Sequence, residues 1–484
     1  MDIFSTLVTV LFILNFIFAT VLIFIERKDP AATWAWLLVL YFIPFLGFVI
    51  YLLLGQNLTR SKLFYWEGIK KIGLEDSISV QKEQLIDPQF QFRNEMVQKN
   101  RDLIYLHLMS NDALLTKHNH IDIFYDGKEK FNTLFEDIDR ATSYIHIQYY
   151  ILKHDDLGKK LIKLLTKKAK QGVTVRLLYD DLGSRKLRKK HLKEFEDAGG
   201  EVAVFFPSSF TIINLRLNYR NHRKLVNIDG KTGYIGGFNV GNEYLGKKER
   251  FGYWRDTHLR LQGESVHAIQ TRFILDWNQA AKKKEIEYEE RYFPENYFEQ
   301  ENNVPMQIVS SGPDSEWEQI KNGYVKMISE ANDSIFIQTP YFIPDQTLFD
   351  VLRIAALSGV DVRVMIPNKP DHPFVYWATY SYVGELLKAG AKVYIYDNGF
   401  IHAKTLIIDR SINAVGTANI DMRSFKLNFE VTAFIYDMNT SENLALMFEE
   451  DMKLSFELTP ELYENRSSWI RFKESISRLL SPIL

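Results

Sequence analysis

The sequence contains no cysteine, which excludes disulfide bonds, thiolate metal sites and a cysteine nucleophile. It also lacks an excess of charge of either sign, because 59 lysines and arginines stand against 61 aspartates and glutamates. A chain without net positive charge has no long-range field that gathers nucleic acid, so an anionic ligand must be held by local charges. Apolar residues are abundant, at 46% of 484 residues, which is enough for a large folded core.

Two long uncharged stretches lie near the start of the chain. Ile3 to Ile25 contains no charged side chain, and Ala31 to Leu54 is a second such stretch. Each is long enough to cross a bilayer as a helix, and the charged segment Glu26 to Pro30 between them has the composition of a turn outside the hydrocarbon. The sequence therefore predicts two transmembrane helices in the cell membrane. The lysines and arginines that follow the second stretch favour the cytoplasm for the rest of the chain.

The remainder of the chain shows a duplicated pattern. Ser143 to Leu152 is rich in the β-branched and aromatic residues typical of strands, Leu157 to Gln171 has helical spacing, and Gly172 to Tyr179 is strand-like again. The same order returns at Ser334 to Ile343 and Gly359 to Met365. Repeated strand, helix, strand units predict two similar α/β lobes. We expect a hairpin at 1–58, a linker at 59–112, a first lobe at 113–300, and a second lobe at 301–484 that ends in a helical tail.

A His-x-Lys-x4-Asp motif occurs once in each lobe. Alternation of side chains along a strand predicts that the histidine and lysine of one motif project from the same face. A small residue and an asparagine follow each histidine at matching distances. Small residues allow backbone N–H groups to approach a phosphate. One copy alone is a weak signal, whereas two copies at matching points indicate a site for phosphoryl chemistry. The two sets are His222, Lys224, Asp229, Gly237 and Asn239, and His402, Lys404, Asp409, Thr417 and Asn419.

These motifs resemble those of the phospholipase D superfamily, whose members pair two of them across a two-lobed α/β/α sandwich to make one active site. The segments Asn221 to Asn239 and Asn419 to Glu430, with Asp29 to Trp36 in the hairpin, are similar to those of bacterial cardiolipin synthases. The resemblance covers nearly the whole chain. It implies an α/β fold in which an N-terminal transmembrane helical hairpin precedes a duplicated phospholipase D-like two-lobed α/β/α sandwich.

The resemblance also implies a reaction. Two molecules of phosphatidylglycerol would give cardiolipin and glycerol through a phosphatidyl-histidine intermediate. Imidazole suits this chemistry because it titrates near neutral pH and attacks phosphorus without metal activation. His222 would be the nucleophile and His402 the general acid, the more usual order in the superfamily, although the nearly symmetric sequence also allows the reverse. No metal and no other cofactor is implied.

The remaining residues of the pattern would support the histidines. The lysines would neutralise the phosphate oxygens, and the small residues and asparagines would bind substrate. Asp256 and Glu430 are placed like the carboxylates that orient the two rings in the family. The motif aspartates, Asp229 and Asp409, belong to the catalytic motif but would orient lysines or loops rather than touch substrate.

Four classes of function are compatible with these residues: a phosphatidyltransferase, a hydrolytic phospholipase D or other phosphodiesterase, a nuclease, and a catalytically silent membrane scaffold. The hairpin and the neutral overall charge count against a nucleic-acid partner, and the intact motifs count against a scaffold. Transferase and hydrolase differ only in whether a lipid alcohol or water reaches the phosphohistidine. The resemblance favours transfer, with phosphatidylglycerol and the membrane as the expected partners.

Overall fold

The computed structural model describes residues 75–207, 218–295, 303–369 and 371–481, together with 30–42, Gly47 and scattered positions between Thr9 and Thr20. Most of the two predicted membrane stretches lies outside these residues. Within the second stretch the chain forms a helix over Pro30–Phe42, with Trp34 exposed. In the described part of the chain, no helix combines the length and hydropathy that a bilayer span requires. The larger of two compact units, Trp66–Pro207 with Arg220–Leu484, contains both motifs.

The described elements alternate between strands and helices through both halves of the chain. The strands are β1 Asn119–Asp126, β2 Tyr144–Tyr149, β3 Thr174–Asp180, β4 Glu201–Phe205, β5 Arg220–Asn221, β6 Leu225–Ile228, β7 Thr232–Gly236, β8 Trp254–Gly263, β9 Met306–Ser311, β10 Ser334–Gln338, β11 Phe342–Ile343, β12 Asp361–Pro367, β13 Lys392–Tyr396, β14 Phe400–Ile401, β15 Thr405–Ile408, β16 Ile412–Gly416, β17 Ile420–Asp421, β18 Asn428–Ile435 and β19 Ser455–Glu457. The helices are α1 Pro30–Phe42, α2 Glu75–Ile86, α3 Glu95–Lys99, α4 Arg101–Asn111, α5 Gly127–Arg140, α6 Asp156–Lys170, α7 Lys193–Asp197, α8 Ser265–Ala280, α9 Gln319–Ser329, α10 Gln346–Leu357, α11 Pro373–Lys388, α12 Met422–Lys426, α13 Met438–Lys453, α14 Pro460–Glu464 and α15 Ser468–Leu479.

Each lobe is built on one mixed sheet, and the two sheets have the same strand order. The first runs β1-β8-β7-β6-β2-β3-β4, and the second runs β9-β18-β16-β15-β10-β12-β13 with β19 at its edge. In both, three parallel strands continue into an antiparallel half. Aspartate caps start some of the intervening helices, as where Asp155 accepts from the N–H of Gly158 at the start of α6. The one-to-one match of pairings confirms the predicted two-lobed α/β duplication.

The two sheets share a hydrophobic core. Residues of β6, β7 and β8 pack with residues of β9, β10, β15 and β16 in one buried cluster, and helix α8 contributes to it. Because separating the sheets would expose this apolar surface to water, the cluster stabilises one arrangement of the lobes. Its members include Leu225, Ile235, Leu259 and Leu261 from the first lobe and Met306, Phe336, Ile407 and Val415 from the second.

Two short strands exchange between the lobes immediately before the motifs. Strand β5 precedes His222 and pairs in parallel with β18 of the second sheet, while β14 precedes His402 and pairs in parallel with β8 of the first. The pairing extends into the motifs, because the His222 N–H donates to the carbonyl of Phe429 at 2.9 Å and the His402 N–H to that of Arg255 at 2.7 Å. Each motif therefore enters its own sheet from a strand held by the other lobe.

This exchange corrects the prediction that the histidine and lysine of each motif lie on one face of a strand. The residues from each histidine to its lysine lie between strands, since β6 begins at Leu225 and β15 at Thr405. The chain is crossing from one sheet to the other at these points, so these residues interrupt the regular strands.

The described part of the predicted linker packs into the second lobe. Helices α2, α3 and α4 contribute Leu85, Val97 and Ile104 to the core cluster of that lobe. The amide of Gln307 on β9 donates to the carbonyls of Ile104 at 3.1 Å and Ala113 at 2.7 Å. These contacts tie the segment to the sheet rather than leaving it as an extended connection.

Candidate active site

Each motif histidine is held by a carboxylate from the opposite lobe. His222 Nδ1 lies 3.0 Å from both carboxylate oxygens of Glu430, and His402 Nδ1 lies 2.6 Å from Asp256 Oδ2. The exchange strands cause this, because each histidine follows the last paired residue of β5 or β14 and so stands beside the acid on β18 or β8. With Nδ1 engaged, Nε2 is the nitrogen left to react. In the described ranges, neither Nε2 has a hydrogen-bond partner.

The two acids are positioned differently. Glu430 accepts from Thr417 Oγ1 at 2.6 Å and from Asn428 Nδ2 at 3.3 Å. Asp256 accepts from the N–H of Thr257 at 2.8 Å. At Gly237, the counterpart of Thr417, a Cβ atom would lie only 1.9 Å from Asp256 Oδ1, so a side chain there would displace the acid.

Gly237 and Thr417 were predicted to bind substrate. The structure places both beside the carboxylates that hold the histidines.

The motif lysines are buried beside the histidines. Lys224 Nζ donates to the carbonyl of His222 at 2.5 Å, and Lys404 Nζ lies 2.8 Å from His402 Nδ1. Burial lowers the pKa of Lys224 to about 7, with Glu430 opposing and Lys404 adding to the effect. Burial likewise lowers the pKa of Lys404 to about 8, opposed by the nearby carboxylates. Lys404 lowers the pKa values of Lys224 and His222, and Lys224 lowers that of His402, so the charged groups of the two motifs lie near one another.

Burial lowers the pKa values of both motif histidines and so favours their neutral form. Burial lowers the pKa of His402 to about 4, with Lys404 adding to the effect and Asp256 opposing it. Burial also lowers the pKa of His222, against the opposing charge of Glu430. A neutral imidazole keeps the lone pair that attack on phosphorus requires.

The two acids stay ionised beside these rings. Burial alone would raise the pKa of Asp256, but Lys404 and His402 outweigh it and the pKa is lowered. His222 and Lys224 do the same for Glu430. Each acid is therefore a fixed negative charge that can stabilise an imidazolium once its ring gains a proton or a phosphorus substituent.

The two asparagines predicted to bind substrate already bond to the protein. Asn239 accepts from the N–H of Ile151 at 3.0 Å and donates to Tyr244 Oη at 3.2 Å. Asn419 donates to Asp421 Oδ2 at 3.0 Å, while its side-chain oxygen is buried and has no partner among the described residues. In this state the asparagines stabilise the loops after β7 and β16.

The structure does not bring the motif aspartates to the histidines. Strands β6 and β15 separate each aspartate from its lysine, and both aspartates have left-handed backbones, with φ of 55° at Asp229 and 50° at Asp409. Their carboxylates bind backbone N–H groups that lead into β2 and β10. The donors to Asp229 are Thr142, Ser143 and Tyr144, and those to Asp409 are Asn332, Asp333 and Ser334. Their inclusion in the catalytic set is therefore not supported by the geometry, which gives them a structural position.

Replacing Asp409 with asparagine should lower stability. A neutral amide accepts more weakly from three N–H groups, so we expect the free energy of unfolding to fall by about 1–3 kcal/mol. Thermal unfolding followed by circular dichroism measures this. Asp139→Asn is the control, because Asp139 is half exposed and pairs with Lys167, a kind of contact worth only about 0–1 kcal/mol. An Asp409→Asn variant that melts with the wild type would contradict the structural role.

Sequence reasoning missed the aromatic rings beside the histidines. The Tyr150 ring lies 4.9 Å from the His222 ring, edge to face, and the Trp254 ring lies 5.2 Å from that of His402. A signal existed for the first ring, because Tyr150 and Tyr341 occupy the same place in the two copies of the repeated strand segment. Each motif histidine therefore has an aromatic ring beside it.

Arg223, between the histidine and lysine of the first motif, was also missed. Its guanidinium is buried, pairs with Asp276 at 2.7 Å and donates to the carbonyl of Glu430 at 3.0 Å. It therefore fixes β18 against the first lobe. No cluster of three or more metal-ligating side chains occurs in the residues that the structure describes.

Comparisons with known proteins agree with this geometry. A family model described as "Cardiolipin synthase, PLD-like domain" matches residues 134–276 and 324–452, and one described as "Phospholipase_D-nuclease N-terminal" matches residues 13–56. A solved structure of phosphatidylserine synthase from Haemophilus influenzae Rd KW20 superposes with a TM-score of 0.60 at 13% identity. It covers 81% of this chain and 100% of that chain, which shows the shared two-lobed fold.

Full-length relatives are much more similar. The protein named major cardiolipin synthase ClsA from Bacillus subtilis (strain 168) is 62% identical over 484 residues, with 100% of both chains covered. A cardiolipin synthase from Listeria innocua is 56% identical over the same length, again with 100% of both chains covered. With the family model matched in both lobes and such relatives aligned from end to end, this chain belongs to the cardiolipin synthase family of the phospholipase D superfamily.

Proposed function

We propose that the protein is a cardiolipin synthase, which transfers a phosphatidyl group from one phosphatidylglycerol to another and releases glycerol. The observation that carries this proposal is the pair of histidines, each oriented by an acid of the other lobe, with two buried lysines between them. Two equivalent histidines around one anion-binding site suit a reaction made of two successive displacements, in which each ring takes the opposite role in the second step. The identity with full-length cardiolipin synthases supports the choice of lipid substrate.

In the first displacement, His222 Nε2 attacks the phosphorus of the donor lipid. A P–N bond forms, the bond from phosphorus to the glycerol oxygen breaks, and protonated His402 gives its Nε2 proton to the departing alkoxide. Glu430 stabilises the positive charge that develops on the His222 ring at 3.0 Å. A bound phosphodiester anion raises the pKa of His402, which supplies the protonated form that burial alone disfavours.

The second displacement reverses these roles. His402, now neutral, removes the proton from the terminal hydroxyl of a second phosphatidylglycerol, whose oxygen attacks phosphorus and breaks the P–N bond. Asp256, at 2.6 Å from the His402 ring, stabilises the imidazolium that forms. His222 is regenerated as a neutral base and cardiolipin leaves. The assignment of the two rings follows the usual order in the superfamily, and Lys224 and Lys404 neutralise the phosphate oxygens in both steps.

We also propose how the chain divides into a membrane-spanning part and a catalytic part. Residues 1–58 form two membrane-spanning helices and hold the enzyme at the cell membrane, with the lobes at 113–300 and 301–484 on the cytoplasmic side. Support comes from the two uncharged stretches, the basic residues that follow them, and the match of residues 13–56 to an N-terminal family model. Residues 59–112 connect the two parts. The partners are phospholipid and membrane, without nucleic acid.

The lowered lysine pKa values predict how activity depends on pH. An ammonium whose pKa is lowered keeps its charge only below that value, so kcat/KM should fall as pH rises through about 7 and 8, where Lys224 and Lys404 lose their protons. The fall in kcat should lie at higher pH, because a bound phosphodiester raises both values. Lys224→Arg should move the fall in kcat/KM upward, since a guanidinium stays charged. A profile that Lys224→Arg leaves unchanged would contradict the assignment.

The function is tested with purified full-length protein and phosphatidylglycerol that carries one label in an acyl chain and a second label in its headgroup glycerol. Cardiolipin, phosphatidic acid and free glycerol are followed with and without a chelator of divalent cations. We expect cardiolipin and glycerol in equal amounts, unaffected by the chelator. Phosphatidic acid with glycerol would instead identify a hydrolytic phospholipase D, and the absence of any product would direct the search to another phosphodiester.

A further inference from the structure

The C-terminal helix α15 presents its apolar side to solvent and its polar side to the protein. The side chains that face inward include Glu474 and Ser477, which are buried. Soluble helices ordinarily bury the apolar side, because that removes hydrophobic surface from water. The exposed fractions on the outer side are 63% for Trp469, 54% for Phe472, 40% for Ile476 and 77% for Leu479.

Ion pairs fix this inverted orientation. Glu474 accepts from Arg466 Nε at 2.9 Å, just after α14, and Arg478 donates to Glu385 on α11 at 3.1 Å. The inner side of α15 also contacts α14 through a hydrogen bond from Tyr463 Oη to Glu474. The helix is therefore attached by polar contacts, and rotating it to bury its apolar side would break them.

Helix α11 extends the apolar surface of α15. Phe374 at its start is 54% exposed. The Nζ of Lys473 lies 5.0 Å from the ring centre of Trp377 and 5.5 Å from that of Trp469. The Trp469 ring in turn stacks on that of Phe472 at 5.4 Å. We call the surface formed by Phe374, Trp377, Trp469, Phe472, Ile476 and Leu479 the aromatic face.

Helix α11, which carries part of the aromatic face, begins close in sequence to a residue that acts on the second motif. Helix α11 begins two residues after Asp371, whose carboxylate accepts from the hydroxyl of Tyr341 and influences the charge of Lys404. A bilayer that contacts this face would therefore meet the second lobe near the segment whose Asp371 acts on Lys404.

We propose that the aromatic face docks into the interfacial layer of a bilayer that contains anionic phospholipid. This docking rests on the proposed function, because it brings the active site to the depth of the lipid phosphodiester. Tryptophan and phenylalanine with neighbouring cations are the composition that interfacial helices use, and Arg471 and Lys473 supply the positive charge. A second copy fits less well, because a two-fold contact through this face would place like charges together.

The absence of cysteine allows a site-specific test on the full-length chain. Phe472→Cys and Ile476→Cys variants carry one environment-sensitive fluorophore each, and the proteins are reconstituted in vesicles of phosphatidylglycerol and phosphatidylcholine. Met438→Cys is the matched control, an apolar residue that is 57% exposed at the start of α13. Brominated lipid reports contact with acyl chains, and iodide reports contact with water.

We expect brominated lipid to quench the labels at 472 and 476, while iodide quenches the label at 438. Labels at 472 and 476 that iodide reaches as readily as 438 would overturn the proposal. Shielding of these labels from both quenchers that increases with protein concentration would also overturn the proposal, because it would indicate contact with a second copy.

Cardiolipin formation by the wild type in the same vesicles separates the two ideas. Lipid quenching without any product would refute the proposed function alone, and product without lipid quenching would refute the docking alone.

Discussion

Replacing either motif histidine with alanine lowers cardiolipin formation by about 10⁴-fold or more, because the variant loses either the nucleophile or the proton carrier of both displacements. The measurement is kcat for His222→Ala and His402→Ala, with labelled phosphatidylglycerol in mixed micelles. His120→Ala is the matched control, since His120 is partly exposed and its Nε2 lies 3.2 Å from Asp122 Oδ1. Its rate should equal that of the wild type.

The same two variants identify the nucleophile. When the donor lipid carries its label in the acyl chain, a covalent phosphatidyl-enzyme retains the label after rapid denaturation. His222→Ala should retain none, whereas His402→Ala should retain label that turns over slowly, because the ring that activates the second alcohol is missing. Label retained only by His222→Ala would reverse the assignment of the two rings. Equal and undiminished turnover in both variants would remove the histidines from the mechanism altogether.

Glu430→Gln and Asp256→Asn each lower kcat by about 10²–10⁴-fold, although neither residue touches substrate. An amide no longer stabilises an imidazolium, and it can hold the ring in the wrong tautomer. Because the pairs are crosswise, Glu430→Gln in the second lobe acts on His222 in the first. Ring signals in nuclear magnetic resonance spectra should therefore change at His222 for Glu430→Gln and at His402 for Asp256→Asn.

The matched control for this pair is Glu457→Gln, at an exposed position on β19. It should leave both kcat and the ring signals unchanged. A Glu430→Gln variant that unfolds at a lower temperature but keeps the wild-type kcat would give the acid a purely structural role. A change at the histidine of its own lobe would contradict the crosswise arrangement.

The sequence predicted the architecture well where the pattern is long. The repeated segments from Ser143 and Ser334 became β2 and β10, each bordered by the strand that follows a motif. Runs of β-branched residues carry that information locally, and duplication repeats it. The family resemblance identified Asp256 and Glu430 as carboxylates that orient the histidine rings, and in the structure each lies within hydrogen-bonding distance of one ring.

The crosswise pairing could not be predicted from local pattern. Strands β5 and β14 have two residues each, which is too short for any periodicity, and their partners are distant in sequence. Gly237 lies beside Asp256, and Thr417 donates to Glu430. These acids reach the histidines only through the crosswise pairing, so the positions of Gly237 and Thr417 relative to the histidines could not be predicted either. The motif aspartates were expected to orient lysines or loops, and the structure shows their carboxylates bound to the backbone that leads into β2 and β10.

The exchange strands also govern when a newly made chain becomes active. His222 and its acid are 208 residues apart in sequence, and His402 and its acid are 146 apart. A chain leaves the ribosome with its N-terminus first, and domains generally fold in that order. The first lobe can therefore fold before Glu430, the acid that pairs with His222, has been synthesised. Contacts of such long range form late in folding, because loop closure opposes them until other packing is in place. The active site is therefore incomplete until the second lobe has folded.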